Sequence, residues 1–204
     1  MANTSKPQGL APVQYLNGAP WNNGGRVYCI PDTEDTNAYA IGDPVTLAGT
    51  ADAAGIPTII LATAGTGNQI LGPIVSGAGA LVFGGQYGVP ADTPIVIPAT
   101  KSRSYYVLVC DDPNVIFEAQ EDGLVTPLVA GDTGNNVNLI SGANNGYISG
   151  WQIDSDSKAT TATLQLKLMG LAYAPKQPAN AFGQYAKWLV MINNHCYRVG
   201  QTGI

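Results

Sequence analysis

The sequence predicts a mainly β fold: a small barrel or sandwich of short antiparallel strands, preceded by an extended N-terminal arm. Three observations carry this. The 204 residues include 25 glycines and 14 prolines, a density of turns that leaves no room for long helices. The text between those turns is rich in Val, Ile, Thr and Tyr, the residues that suit a pleated, half-buried surface. Apolar runs also recur at roughly 8 to 12 residues with Gly, Pro, Asn or Asp between them, the spacing of a sandwich or barrel. With 45% hydrophobic residues, the chain can fill a core.

Residues 1–25 show neither period 2 nor period 3.6 and carry several prolines and glycines among Leu10, Val13, Tyr15, Leu16 and Trp21. This reads as an extended arm. Large apolar groups on an arm must lie against something, so these five residues are the expected partner contacts, docking on a neighbouring subunit and adding little to the fold of their own. Residues 26–204 are expected to form the β-rich domain. Its strand text runs "RVYCIP", "AYAIG", "DPVTLAG", "IPTIILATAG", "QILGPIV", "ALVFGGQYGV", "TPIVIPA", "SYYVLVCD", "NVIFEAQ", "TPLVAG", "NVNLISG" and "GYISGWQIDSD". In "TATLQLKLMGL" the leucines 164, 166 and 168 alternate with Thr163, Gln165 and Lys167, the pattern of a half-buried strand. Within "PANAFGQYAKWL" the text admits a short helix, weakened by Gly183, so a helical or loop insertion is expected near 175–187. A short echo, Gly-Asp opening a strand at 42–47 and again at 131–139, fits either an internal repeat or common turn chemistry.

The stretch "VLVCDDPNVIFEAQEDG" concentrates five carboxylates, Asp111, Asp112, Glu118, Glu121 and Asp122, in a chain only 11% charged. "DDPN" predicts a turn with Pro113 at its second position. A six-residue strand then separates the two acidic pairs by about 20 Å, beyond the roughly 5 to 9.5 Å of a glycosidase pair. They are expected to be solvated turn acids. "DSDSKA" starts like a calcium loop, but Lys158 stands where an oxygen ligand belongs and Ala159 where glycine belongs. The lone histidine, His195, precedes Cys196 in strand-like text, which sends the two side chains to opposite faces. "GTGNQI" and "GAGALV" lack the third glycine of a dinucleotide loop, and Ser76 and Ser149 lack the spacing of a nucleophile elbow. Cys29, Cys110 and Cys196 are odd in number and match neither a disulfide framework nor a zinc spacing, so three buried free thiols are expected. Trp151 and Trp188 read as core. No catalytic, cofactor-binding or metal-ligating residue is assigned, and no cofactor is expected.

The net charge of −5 and the scattered Lys and Arg leave no basic stripe for nucleic acid. The N-terminus has no apolar run, and no segment approaches the roughly 18 apolar residues of a membrane helix. Synthesis in a cytoplasm, without membrane or nucleic-acid partners, is the expectation.

The distinctive text lies at the two ends: "KPQGLAPVQYLNGAPWNNGGRVYCIP" with "AYAIGDPVTLAG", and "ATTATLQLKLMGLAYAP" with "AKWLVMINNH". It resembles a family of tailed-bacteriophage head decoration, or cement, proteins, and "DDPNVIFEAQED" and "VAGDTGNNVNLISGA" fit the same pattern. The resemblance implies a non-enzymatic virion protein on the outer surface of the capsid, made in the host cytoplasm. It further implies a β-rich fold, homo-oligomers with a trimer favoured over a dimer, and the major capsid protein as partner. Competing readings are a tail or base-plate structural protein and a carbohydrate-binding β-module. Exposed tryptophans and tyrosines beside acidic groups would favour the latter, and burial of Trp21, Trp151 and Trp188 would argue against it.

Overall fold

The computed structural model describes residues 3–33, 36–76, 96–172 and 180–198, with Gly200 and Gly203. The described residues are mainly β. They form β1 (Ala11–Tyr15), β2 (Arg26–Ile30), β3 (Pro44–Ala51), β4 (Pro57–Leu61), β5 (Gly72–Ser76), β6 (Tyr105–Val109), β7 (Val115–Gln120), β8 (Asn136–Ile140), β9 (Gln152–Ala159), β10 (Leu166–Leu171) and β11 (Lys187–Ile192), with one 3-10 turn at Ala130–Asp132. Most of the expected strand text forms strands. "AYAIG" makes only isolated bridges, Tyr39 to Ile97 and Ile41 to Ile148, and "TPLVAG" leads into the 3-10 turn instead of a strand. "ALVFGGQYGV" and the first part of "TPIVIPA" lie outside the described residues, as do 173–179. Residues 180–186 are loop and turn, not helix: Gly183 (φ 132°) and Tyr185 (φ 62°) both sit in left-handed space, which an α-helix cannot contain.

Strands β2 to β6 close into a five-stranded barrel in the order β2-β4-β3-β5-β6. Directions that alternate strictly cannot close on an odd ring, so one neighbouring pair must run parallel. That pair is β2 and β4, joined at Cys29 and Thr58, while the other four contacts are antiparallel. Tyr28, Ile30, Val45, Ile59, Ile74 and Val107 fill its interior.

The remaining strands form a six-stranded sheet, β1-β7-β11-β10-β8-β9, and this sheet rolls on itself. Beyond β7 the chain reaches β9, where Glu121 pairs in parallel with Ile153 and the Asp122 amide donates to the Ile153 carbonyl at 3.0 Å. The second group thus meets itself as a ring β7-β9-β8-β10-β11, with β1 attached outside β7. Taken in chain order, both rings run first, third, second, fourth, fifth, and in both the parallel pair is first with third. The Gly-Asp echo falls at the same place in each, just before the second strand. The Asp43 carboxylate accepts the Ala40 amide at 2.7 Å and the Asp43 amide returns to the Ala40 carbonyl at 3.2 Å. Asp132 repeats this with Val129, at 2.8 Å and 2.9 Å. The wiring therefore supports the repeat over incidental turn chemistry.

Of residues 1–25, expected as an arm apart from the domain of 26–204, the described residues 3–25 belong to the fold of their own chain. Leu10 is buried in the core of the second ring, and β1 pairs with β7 from Ala11–Glu118 to Tyr15–Val115. A register shift between Pro12 and Gln14 leaves Val13 exposed. Ahead of β1 the chain threads between the rings: the Gly9 amide donates to Trp151 and the Leu10 amide to Gly42. Gly9 (φ 67°) and Gly42 (φ 90°) touch backbone to backbone. A Cβ on Gly9 would stand 2.0 Å from the Gly42 oxygen, so only glycine fits this crossing. Apolar residues of an arm can be satisfied by the chain's own core, and two closed rings provide a crevice that strand periodicity alone does not reveal.

Candidate functional site

The five clustered carboxylates divide when placed in the fold. Asp112 behaves as expected: the Val115 amide donates to its carbonyl at 3.2 Å and its Oδ1 accepts the Asn114 amide at 2.8 Å, an exposed turn with Pro113 second. Glu118 is half-buried, paired with Lys187 Nζ at 2.8 Å and accepting Gln8 Nε2 at 2.9 Å. The other three are buried, contrary to the expectation of solvated turn acids. Asp111 Oδ2 accepts the Tyr28 hydroxyl at 2.7 Å and meets Arg26 Nε at 3.1 Å. Asp122 Oδ1 accepts Ser155 Oγ at 2.7 Å. Glu121 is wholly inaccessible; one oxygen accepts the Leu128 amide at 3.0 Å, and desolvation pushes its carboxyl up to about 7. These residues follow strands, as turn acids do, but here the strand ends run into a ring closure and a ring-to-ring seam, not into water.

The two acidic pairs stand at opposite ends of β7, as its length demands. Near the second pair, Asp154 has its carboxyl raised, by desolvation first and by the charge of Asp122 next. Among the described residues no group of three or more His, Cys, Asp or Glu is placed to hold a metal. "DSDSKA" makes up the last six residues of β9, extended and not looped, with Lys158 Nζ on Asp132 at 3.1 Å.

His195 is buried, and its Nδ1 accepts the Tyr197 amide at 3.0 Å. Desolvation first, then the charge of Arg198, lowers it to about 4, so the imidazole is neutral at pH 7. Cys196 packs against the first ring's core with Sγ 3.6 Å from Thr46 Oγ1. Cys29 and Cys110 are buried, whereas Cys196 is only half-buried, a departure from three buried thiols. Burial pushes the Cys110 thiol up to about 12, far from a reactive thiolate. Trp151 and Trp188 are core residues.

The five expected contact residues are not brought together. Leu10 is in the core, Tyr15 and Trp21 pack against it, and Val13 and Leu16 are exposed. The outer edge of β1 is covered by its own return, the Tyr15 amide donating to Ala19 and the Trp21 amide to Val13. What the sequence reading missed is a cluster of exposed apolar side chains on two loops of the second ring. Leu124, Val125 and Val129 follow β7, and Phe182 precedes β11; Val125 is 88% exposed. Gln184 Nε2 ties the loops together by donating to the Gly123 and Leu124 carbonyls at 2.9 and 3.0 Å. Phe182 leans on Trp188, ring centroids 5.5 Å apart, and Thr126 is anchored to Asp156. The signal in the sequence was "GLVTPLVAG", apolar text without strand period.

Fold and site together define a double-ring β protein with some of its exposed apolar groups on braced loops. No family model, no curated protein and no solved structure matches the chain.

Proposed function

We propose that the chain is a structural virion protein that decorates and stabilises a tailed-phage capsid by bridging subunits of the major capsid protein, acting as a homo-oligomer, a trimer in preference to a dimer. The observation that carries this reading is the loop cluster of Leu124, Val125, Val129 and Phe182. Large apolar side chains held in water on braced loops are costly unless a partner covers them, and an aromatic beside aliphatic groups is the make-up of an interface anchor. The ring scaffold supports the same reading: closure leaves few free strand edges, so contacts fall to loops. The buried acid Asp111 is taken up by Tyr28 and Arg26, in keeping with a role in contact and not in chemistry.

The test is binding of purified protein to capsids that lack it. Val125→Asp and Phe182→Ser should weaken binding at least about tenfold, some 1.4 kcal/mol, with unchanged melting midpoints, and light scattering of the wild type should return a trimer. Undiminished binding by both variants would remove the loop cluster from the account.

A further inference from the structure

Three cavities, of about 600, 360 and 430 Å³, lie where the two rings meet. The first and third share Tyr197, and the second and third share Gln69, Thr163 and Asn194, so the three join into one run along the seam. Each wall comes from a different ring. Thr46 and the β4–β5 connection stand on one side, and Thr163 and Asn194 on the other. The floor is rigid because the Ile70 amide donates to Asn194 and the Cys196 amide to Ile70.

We infer that this seam is a binding site for a neutral oligosaccharide, independent of the proposed capsid role. The volumes suit small ligands, about 300 to 1,000 Å³; the second cavity presents more polar than apolar surface, the first and third more apolar than polar. Gln69, Asn194, Thr63 and Thr163 line the second cavity as exposed or half-buried polar residues, and among the described residues none of these side chains has an internal hydrogen-bond partner. Amides that both donate and accept match the adjacent hydroxyls of a sugar. Tyr15, Pro113 and Tyr197 supply apolar surface at the wide end, suited to the C–H faces of a pyranose. The charges present argue for a neutral ligand. Arg26, whose side chain is largely exposed, pairs with Asp111 at 3.1 Å and Arg198 donates to the Ile192 carbonyl at 2.9 Å, so the two cations are balanced by Asp111 and exposed Asp112.

Saturation-transfer NMR and calorimetry with cellohexaose, maltohexaose and chitohexaose test the site. At least one should bind with a millimolar Kd, and Gln69→Ala/Asn194→Ala should weaken it at least about tenfold while the melting midpoint holds. Absence of transfer from all three sugars, or equal binding by the double variant, overturns the inference. So does a double variant that keeps its sugar affinity but loses capsids, which would assign the groove to a polypeptide. Loss of capsid binding by the loop variants Val125→Asp and Phe182→Ser bears only on the decoration reading, so the two can fail separately.

Discussion

Gln165 joins the rings through one side chain. Fully buried, its Oε1 accepts the Gly65 and Leu139 amides at 3.0 and 3.1 Å, and its Nε2 donates to the Thr63 and Asn68 carbonyls at 2.9 and 3.3 Å. Two of these partners lead into the polar groove, so the residue also shapes that wall. Gln165→Leu keeps the volume but strands up to four backbone groups. It should cost about 3 kcal/mol or more, read as a lower denaturant midpoint. Glu121 and His195 act on stability through pH, with opposite signs. Glu121, raised from 4.5 to about 7, holds its proton in the fold after the unfolded chain has lost it, so its contribution falls as pH rises between those values. His195, lowered from 6.5 to about 4, refuses a proton that the unfolded chain accepts, so its contribution falls as pH drops through that window. Each limb amounts to about 3 kcal/mol, and between pH 4.5 and 6.5 the two oppose each other. Glu121→Gln should therefore expose a stability that climbs from pH 4 to 6.5, and His195→Gln one that declines from pH 4.5 to 7. Chemical denaturation across that range checks both; parallel profiles for wild type and variants would refute the assignment.

At the scale of the strand, alternation was enough to place β10. Leu166 and Leu168 are buried on one face, because a period of two leaves one register that covers the apolar set, whereas β7 is buried on both faces, Ile116 and Gln120 included. The turn from Asp112 to Val115 was legible for the same local reason. Glu121 was not: its burial depends on Ile153, distant in sequence, arriving beside it to close the ring. The loop cluster escaped because exposed Leu124 and Val125 look like interior residues when only composition is read. β1 is the element whose role changed most. It sits on β7, and Leu10 ahead of it is part of the core. Deleting residues 2–16 should lower the melting midpoint sharply, and Leu10→Ala alone should cost about 3 kcal/mol. A truncated protein as stable as the full chain would restore the view of a detachable strap.

Over the whole molecule the rings follow one wiring but differ in what they display. The first carries its Gly-Asp turn under the N-terminal crossing at Gly9, whereas the second leaves Val129, beside its own Gly-Asp turn, open to solvent. A duplicated scaffold with unlike loops suits a protein that contacts several neighbours at once, which is what bridging requires. The general β architecture was readable from turn spacing, and the Gly-Asp echo hinted at duplication. Ring order was not readable, because it is set by pairings such as Cys29 with Thr58 and Glu121 with Ile153 that leave no periodic mark.

The placement of β1 also bears on how the chain is made. Every strand of the first ring lies within residues 26–109, so that ring is able to close while the rest is still on the ribosome, where domains generally fold from the N-terminus onward. Residues 3–16 are synthesised earlier still, yet apart from the crossing at Gly42 their partners, β7 and Trp151, belong to the later half. A segment that precedes both rings in the chain thus waits for the second of them, and until then Leu10, Tyr15 and Trp21 lack the core they pack against.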